Sequence, residues 1–546
     1  MKAIIRLWVL VAALCTAAPS FAQSAPAVDA PAGRLRGEAL AGEVNAFRGI
    51  PYARAPIGNL RWRAPAQLRR WRGERDATQF GAACVQPPSR GGSIYHNTHA
   101  AMSEDCLFLN VWAPANVQDA PVLVWIHGGS LMTGAGSEEM YDGARMAERH
   151  GVIVVSINYR LGILGYLAHP ELSFDNGGVS GNYGLLDQIA ALRWINRNIG
   201  AFGGDASNVT IAGESAGALS VMYLMAAPDA RGLFSKAIAQ SAYMISAPEL
   251  RGSRFGEIPA EGIGLWLTGQ VGASDIASMR AMEAAALVEA AGRSGYFPFL
   301  TVDGRVLPRQ LVDTFDRGEQ APVPILAGFN EGEIRSLRFL APPPPADAAT
   351  YEAEIRTRYG DLADEFLRLY PSSNLSETML LTPRDALYGW TAERLVAKQT
   401  AQGHPSFLYL FNHGYPAANE LGLHAFHAAE IPYVFGTMDR TPPRWPRAPS
   451  SSEEAAFTDA MMSYWATFAR NGAPSAENAP QWPAYSAEQH YMSFDDAPTP
   501  GVNVMPGMYE LNEAVVCRRR AQGGVAWNWN VGILSPPLPP EAAQCR

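Results

Sequence analysis

Short runs of apolar, often β-branched residues recur along the chain, each closed by glycine or a polar stretch. They are PVLVWIHGG at 121–129, GVIVVSINYRLG at 151–162, NVTIAGESAG at 208–217 and PVPILAGFN at 322–330. Runs this short, with little polar alternation, read as strands buried on both faces. Between them apolar residues return at helical spacing. Leu185, Ile189, Leu192, Ile195 and Ile199 mark a helix within 182–204, and Phe457, Met461, Tyr464, Trp465 and Phe468 mark a core-facing stripe within 457–472. Strands alternating with helices predict an α/β fold whose large, mostly parallel sheet is covered by helices on both faces. APPPPADAA at 341–349 breaks the pattern and reads as a loop, a hinge between lobes. There is no internal repeat.

Composition narrows this picture. A chain of 546 residues suggests two to four domains by length alone, although a large α/β enzyme exceeds that rule. With 48% hydrophobic and 17% charged residues, a large core is expected and global disorder is excluded. The net charge of −9 gives no reason to expect nucleic acid or an anionic membrane as partner. The first residues read as an address. Lys2 and Arg6 precede an apolar stretch from Leu7 to Ala18, and Ser20-Phe21-Ala22 offers a cleavage site before Gln23. This predicts a secretory signal over residues 1–22, too short to span a membrane, and a secreted or periplasmic protein. No later segment is apolar enough to be a span.

Removal of the signal takes Cys15 with it and leaves Cys84, Cys106, Cys517 and Cys545. An even number in an exported chain favours disulfides. Three pairings are open, of which Cys84–Cys106 with Cys517–Cys545 closes the shortest loops. Each such bridge is worth roughly 3 kcal/mol in the chain-entropy model. The spacing does not resemble a zinc site.

The third apolar run carries chemistry. Gly213-Glu214-Ser215-Ala216-Gly217 follows a strand and precedes a helix, the setting of a nucleophile elbow, where small neighbours admit close passage of the chain. Alone, the pattern also fits an ordinary tight turn. A serine hydroxyl needs a base and an anion site before it attacks a carbonyl. WIHGGSL at 125–131 supplies consecutive small residues after another apolar run. The N–H groups of Gly129 and Ser130 are therefore candidates for an oxyanion hole, with that of Ala216 as a third donor.

Five stretches together resemble the type-B carboxylesterase family, the cholinesterase-like branch of the α/β-hydrolase fold: SEDCLFLNVW at 103–112, HGGS, NYRLGILGYL at 158–167, GNYGLLDQIAALRWI and FGGDASNVTIAGESAGA. The resemblance implies one α/β-hydrolase unit over 23–546, insertions forming a gorge, and a serine–histidine–glutamate triad at its foot. It implies His427 as the base, because His427-Ala428-Ala429-Glu430-Ile431 and the following Tyr433-Val434-Phe435-Gly436 match the family's segment. His424 then lines the loop, and His127 belongs to the oxyanion segment. For the acid, Gly328, Asn330 and Glu333 match Gly-x-Asn-x-x-Glu, but Ile334 stands where glycine should follow, and Glu331-Gly332 mimics the pair two places early. Counting from the strand end favours Glu333 over Glu331. Serine, acid, histidine is the chain order of this fold.

Two further departures concern the pocket. Ser130 replaces the usual third glycine of the hole. The loop from Cys84 to Cys106 has no tryptophan, Tyr95 and His96 being its nearest aromatic candidates, which argues against choline esters. Glu214 is a cation-attracting residue by resemblance, while its own setting favours a hydrogen-bonded structural carboxylate.

These readings predict a secreted serine carboxylic-ester hydrolase acting through an acyl-enzyme on a small-molecule ester, with no metal or cofactor. Glu214, Leu131 and Met132 are candidate substrate contacts, and Tyr296 and Phe297 candidate walls. A non-catalytic adhesion module and an amidase or carbamate hydrolase are the alternatives. The intact set of Ser215, Glu333 and His427 favours an enzyme. Substrate and oligomeric state stay open.

Overall fold

The computed structural model describes residues 25–88 and 92–545. The predicted signal over 1–22 lies outside the described residues. An eleven-stranded sheet runs through most of the chain. Its strands are β1 (Glu38–Leu40), β2 (Val44–Pro51), β3 (Phe108–Pro114), β4 (Ala120–Ile126), β5 (Ile153–Ile157), β6 (Gly204–Glu214), β7 (Lys236–Gln240), β8 (Ile325–Asn330), β9 (Ser406–Phe411), β10 (His490–Phe494) and β11 (Pro498–Val502). Their spatial order is β11-β10-β9-β8-β7-β6-β4-β5-β3-β2-β1. From β10 to β5 every pairing is parallel, and the antiparallel pairings lie at the two ends.

The apolar runs form the middle of this sheet because both of its faces are covered. In β4 all seven residues are buried. Val122, Val124 and Ile126 pack into one core with Leu185, Ile189, Leu192 and Ile195 of helix α1 (Tyr183–Asn198) and with helix α2 (Ala216–Ala226). Leu123 and Trp125 pack into a second core with Phe457, Met461, Trp465 and Phe468 of helix α3 (Ser452–Asn471). The period of two in the strands and the helical stripes meet as expected.

Boundaries differ where local chemistry intervenes. The helix read over 182–204 stops at Asn198, continues as a 3₁₀ turn through Phe202, and ends at Gly203, which takes φ of 85°. The strand read over 151–162 ends at Ile157. Beyond it Arg160 turns inward to a bidentate pair with Asp187 of α1 at 2.7 and 2.8 Å, both side chains buried. The proline-rich stretch is a loop that ends where Asp347 caps the helix Ala348–Tyr359. Two disulfides join Cys84 to Cys106 and Cys517 to Cys545.

The tightest point of the sheet is the junction of β4, β6 and α2. A Cβ on Gly217 would lie 2.0 Å from the carbonyl oxygen of Ile126, and one on Gly213 would lie 2.5 Å from the backbone of Gly217. Backbone cannot yield as a side chain can, so neither site admits a larger residue. Gly217→Ala should destabilise the fold by more than about 2 kcal/mol, read as a lower urea midpoint. A midpoint equal to that of the parent protein would show that this approach is not tight.

Candidate active site

Strand β6 ends at Glu214 and α2 begins at Ala216, so one residue turns the chain. That residue, Ser215, sits at φ 55° and ψ −122°, a conformation costing an L-residue of order 1–3 kcal/mol. The packing around Gly213 and Gly217 holds it there. The loop after β4 lies against the same turn. A Cβ on Gly128 would approach the Glu214 carbonyl oxygen to 3.0 Å and Ser215 Cβ to 3.3 Å. Gly129, Ser130 and Leu131 follow with φ of 100°, 57° and 58°. This left-handed run turns the Gly129 carbonyl toward Met132 and Thr133, whose N–H groups donate to it at 2.9 and 3.0 Å. Ser130 is exposed, Leu131 is buried and Met132 half-buried. Tyr296 is core and Phe297 is exposed.

His127 is a buried prop for this loop. Its ring stacks on Tyr159 at 4.5 Å, its Nδ1 lies 2.9 Å from the Gly128 carbonyl, and the Tyr159 hydroxyl donates to its own carbonyl at 2.7 Å. Burial lowers its pKa to about 4, so it is neutral. His424 is exposed in a turn.

His427 arrives from the loop after β9. Strand β8 leads into Glu333, which opens the short helix Glu333–Ser336. The Glu333 carboxylate is fully buried; one oxygen accepts the Asn330 N–H at 2.8 Å and the other takes Nδ1 of His427. Glu331 faces elsewhere, half-exposed and 3.8 Å from Arg384. Gly332 explains the shifted Glu-Gly pair, since a Cβ there would meet the Leu423 and Ala425 carbonyls at 2.7 and 2.8 Å. Tyr95, within the first disulfide loop, donates to the His427 carbonyl at 2.8 Å.

The other ring nitrogen meets a second carboxylate. Nε2 of His427 lies 3.0 Å from Oε1 of Glu214. That oxygen has no hydrogen-bond partner, and the contact is an ion pair. The ring's contacts do not include the Ser215 hydroxyl. Glu430, also buried, stands behind, held by Asn330 Nδ2 at 2.6 Å and Gln240 Nε2 at 2.9 Å. Burial opposes a charged imidazole, but Glu214, Glu333 and Glu430 outweigh it and raise His427 to about 9. Burial raises Glu214 to about 8, with Glu430 and Glu333 adding to it against the attraction of His427.

The carboxylesterase family model matches residues 24–512. The chain belongs to the carboxylesterase family. This carboxylesterase is 36% identical over 468 residues to the para-nitrobenzyl esterase of Bacillus subtilis (strain 168), covering 84% of this chain and 92% of the relative. It is 35% identical over 487 residues to the fumonisin B1 esterase of Sphingopyxis macrogoltabida, covering 84% of each. Among solved structures, a PNB esterase superposes with a TM-score of 0.77 at 33% identity, covering 89% of this chain and 99% of the other. A Geobacillus stearothermophilus carboxylesterase superposes with a TM-score of 0.71 at the same identity and coverage. The α/β-hydrolase fold and the ester-hydrolase class follow.

Sequence reasoning named Ser215, Glu333, His427 and the loop after β4, but took Glu214 for a hydrogen-bonded structural carboxylate and missed its contact with the ring. It also missed Tyr388, whose ring lies 5.3 Å from that of His427. Tyr388 stands in a π-helical turn, Asp385–Gly389, which no periodicity announces. The cradle of carboxylates predicts that the His427 ring loses its proton near pH 9, followed by NMR of a ring-labelled sample. Replacing Glu333 by Gln removes one raising charge and should lower that midpoint. An unchanged midpoint in E333Q would contradict the assignment.

Proposed function

We propose that Ser215 is the nucleophile, His427 the general base and Glu333 the residue that orients it, in hydrolysis of small-molecule carboxylic esters. The observation that carries this reading is the buried carboxylate of Glu333 on Nδ1 of an imidazole that lies beside the serine elbow. With Nδ1–H donating to Glu333, Nε2 is the nitrogen left to take a proton. When the ring swings from Glu214 to Ser215, Nε2 accepts the hydroxyl proton as Oγ attacks the ester carbonyl. Catalytic hydrogen bonds of this kind commonly close only in the substrate complex. The N–H groups of Gly129, Ser130 and Ala216 receive the oxyanion; a single such donor is worth about 10²–10³ in rate. His427 returns its proton to the departing alcohol, water attacks the acyl-enzyme, and the acid is released.

Met132 and Leu131, on the strained loop beside the serine, and Glu214 form the near wall of the substrate site. The two disulfides, together with the leader-like residues 1–22, support export to an oxidising compartment.

The test is turnover of a para-nitrobenzyl ester. Ser215→Ala should fall to background while keeping the parent melting curve. Glu333→Gln should lose about 10³–10⁴ in kcat, as expected when a base loses the group that fixes its tautomer. Glu331→Gln should stay within about threefold of the parent, as expected for a partly exposed pair. Parent-like turnover by Ser215→Ala would remove this mechanism, and a large loss in Glu331→Gln would move the acid.

A further inference from the structure

We propose that Gln86 is a positioning residue for the oxyanion hole, its buried carboxamide fixing the loop that offers the N–H groups of Gly129 and Ser130; the proposal rests on the serine-hydrolase reading above.

The loop after β4 is costly to hold in one shape. Ser130 and Leu131 take φ of 57° and 58°, which costs residues with a Cβ of order 1–3 kcal/mol each, so the surroundings must impose it. Part of the restraint is internal. The Gly129 carbonyl accepts from the Met132 and Thr133 N–H groups and from the Thr133 hydroxyl at 3.2 Å. The loop then folds back on its own start at Gly134, where φ is 103° and a Cβ would lie 2.8 Å from the Gly128 carbonyl oxygen. Among the described residues no hydrogen bond takes up the N–H of Gly129 or of Ser130. The placement of these two donors therefore depends on where the loop around them is fastened.

One fastening is the Gly162 N–H, which donates to the Leu131 carbonyl at 2.7 Å. The other, at Gly134, is made by a side chain from the first disulfide loop. Gln86 is 6% exposed. Its Oε1 accepts the Gly134 N–H at 2.8 Å, and its Nε2 donates to the Gly134 carbonyl at 3.0 Å. A single carboxamide thus grips both polar groups of one residue. Nε2 donates a second time, to the Cys84 carbonyl at 3.0 Å. These three bonds leave the amide one orientation, since turning it over would set its oxygen against two carbonyls and its NH₂ against an N–H. Cys84 is itself closed onto Cys106, so the grip stands on a covalently restrained support. A hole that is not held in place must rearrange as charge develops, and misplacement by about 1 Å costs of order 10²-fold in rate. The oxyanion exists only in the tetrahedral states, so the loss falls on kcat rather than on KM.

Gln86→Met keeps the length and fills the space but grips neither group of Gly134. Turnover of a para-nitrobenzyl ester, taken per molecule that unfolds cooperatively in urea, should drop about 10–100-fold in kcat with KM within about threefold. A trifluoromethyl ketone supplies a readout that a merely structural role would not move. Ser215 Oγ bonds to its carbonyl carbon, the hydroxyl proton passes to His427, and the former carbonyl oxygen carries the negative charge in the hole. The alcohol made by reducing the same ketone forms no such charge. In Q86M the ketone should weaken by the same factor as kcat/KM, while the alcohol stays within about twofold. Gln86→Asn keeps an amide but is one methylene short. It should show the same split at smaller size, and it takes over the measurement if Q86M does not fold. Parent-like kcat and ketone affinity in the folded variants would overturn the proposal, and so would equal weakening of ketone and alcohol. Ser215→Ala, run alongside, keeps the two failures apart. Background turnover there with a parent-like Q86M rejects the role of Gln86 alone, whereas parent-like turnover there rejects the hydrolase mechanism beneath it.

Discussion

One buried imidazole set among three buried carboxylates is the interaction on which the site depends. Charges in a low-dielectric interior are costly unless compensated, and here compensation is uneven: Glu214, Glu333 and Glu430 crowd one ring. Glu333 and Glu430 are satisfied by hydrogen bonds, from the Asn330 backbone to the first and from Asn330 and Gln240 side chains to the second. Glu214 is not. The imbalance gives the ring one firm partner and one loose one. The proposed base must both be oriented and hand protons back and forth, and that difference suits both tasks.

The sheet supplies the rigid frame for it. Ser215, Glu333 and His427 each follow a parallel strand, β6, β8 and β9, and a parallel arrangement gathers the ends of such strands along one edge. Gln240 at the end of β7 completes the row, reaching Glu430 with its amide while its oxygen accepts the Trp465 indole N–H at 2.9 Å. Helix α3 on the far face of the sheet is thus connected by hydrogen bonds to the carboxylates beside the histidine.

Much of this was legible in the chain because steric demands leave marks. The glycines around Ser215 are required where backbone meets backbone, and the apolar runs are required where a strand is covered twice. The acid was ambiguous for an equally physical reason. Gly332 is needed by the chain crossing at Leu423 and Ala425, and that glycine placed a false Glu-Gly pair ahead of the residue that meets the ring. The contact of Glu214 with the ring and the nearness of Tyr388 left no mark, because both come from where the His427 loop lands, and a long-range landing point has no local signature. The π-turn that carries Tyr388 follows Pro383 inside a helix, a departure from regular winding that a periodic pattern conceals.

Tyr95 belongs to the segment closed by Cys84–Cys106, yet its hydroxyl grips the carbonyl of His427. A covalent ring near the amino end of the fold thereby serves as a mooring line for the proposed proton carrier near its carboxyl end. Cutting that line by reduction would lengthen the tether without touching any reacting atom. The loop that carries the imidazole is in this way joined, through a single phenol, to a covalent closure far from it in the chain.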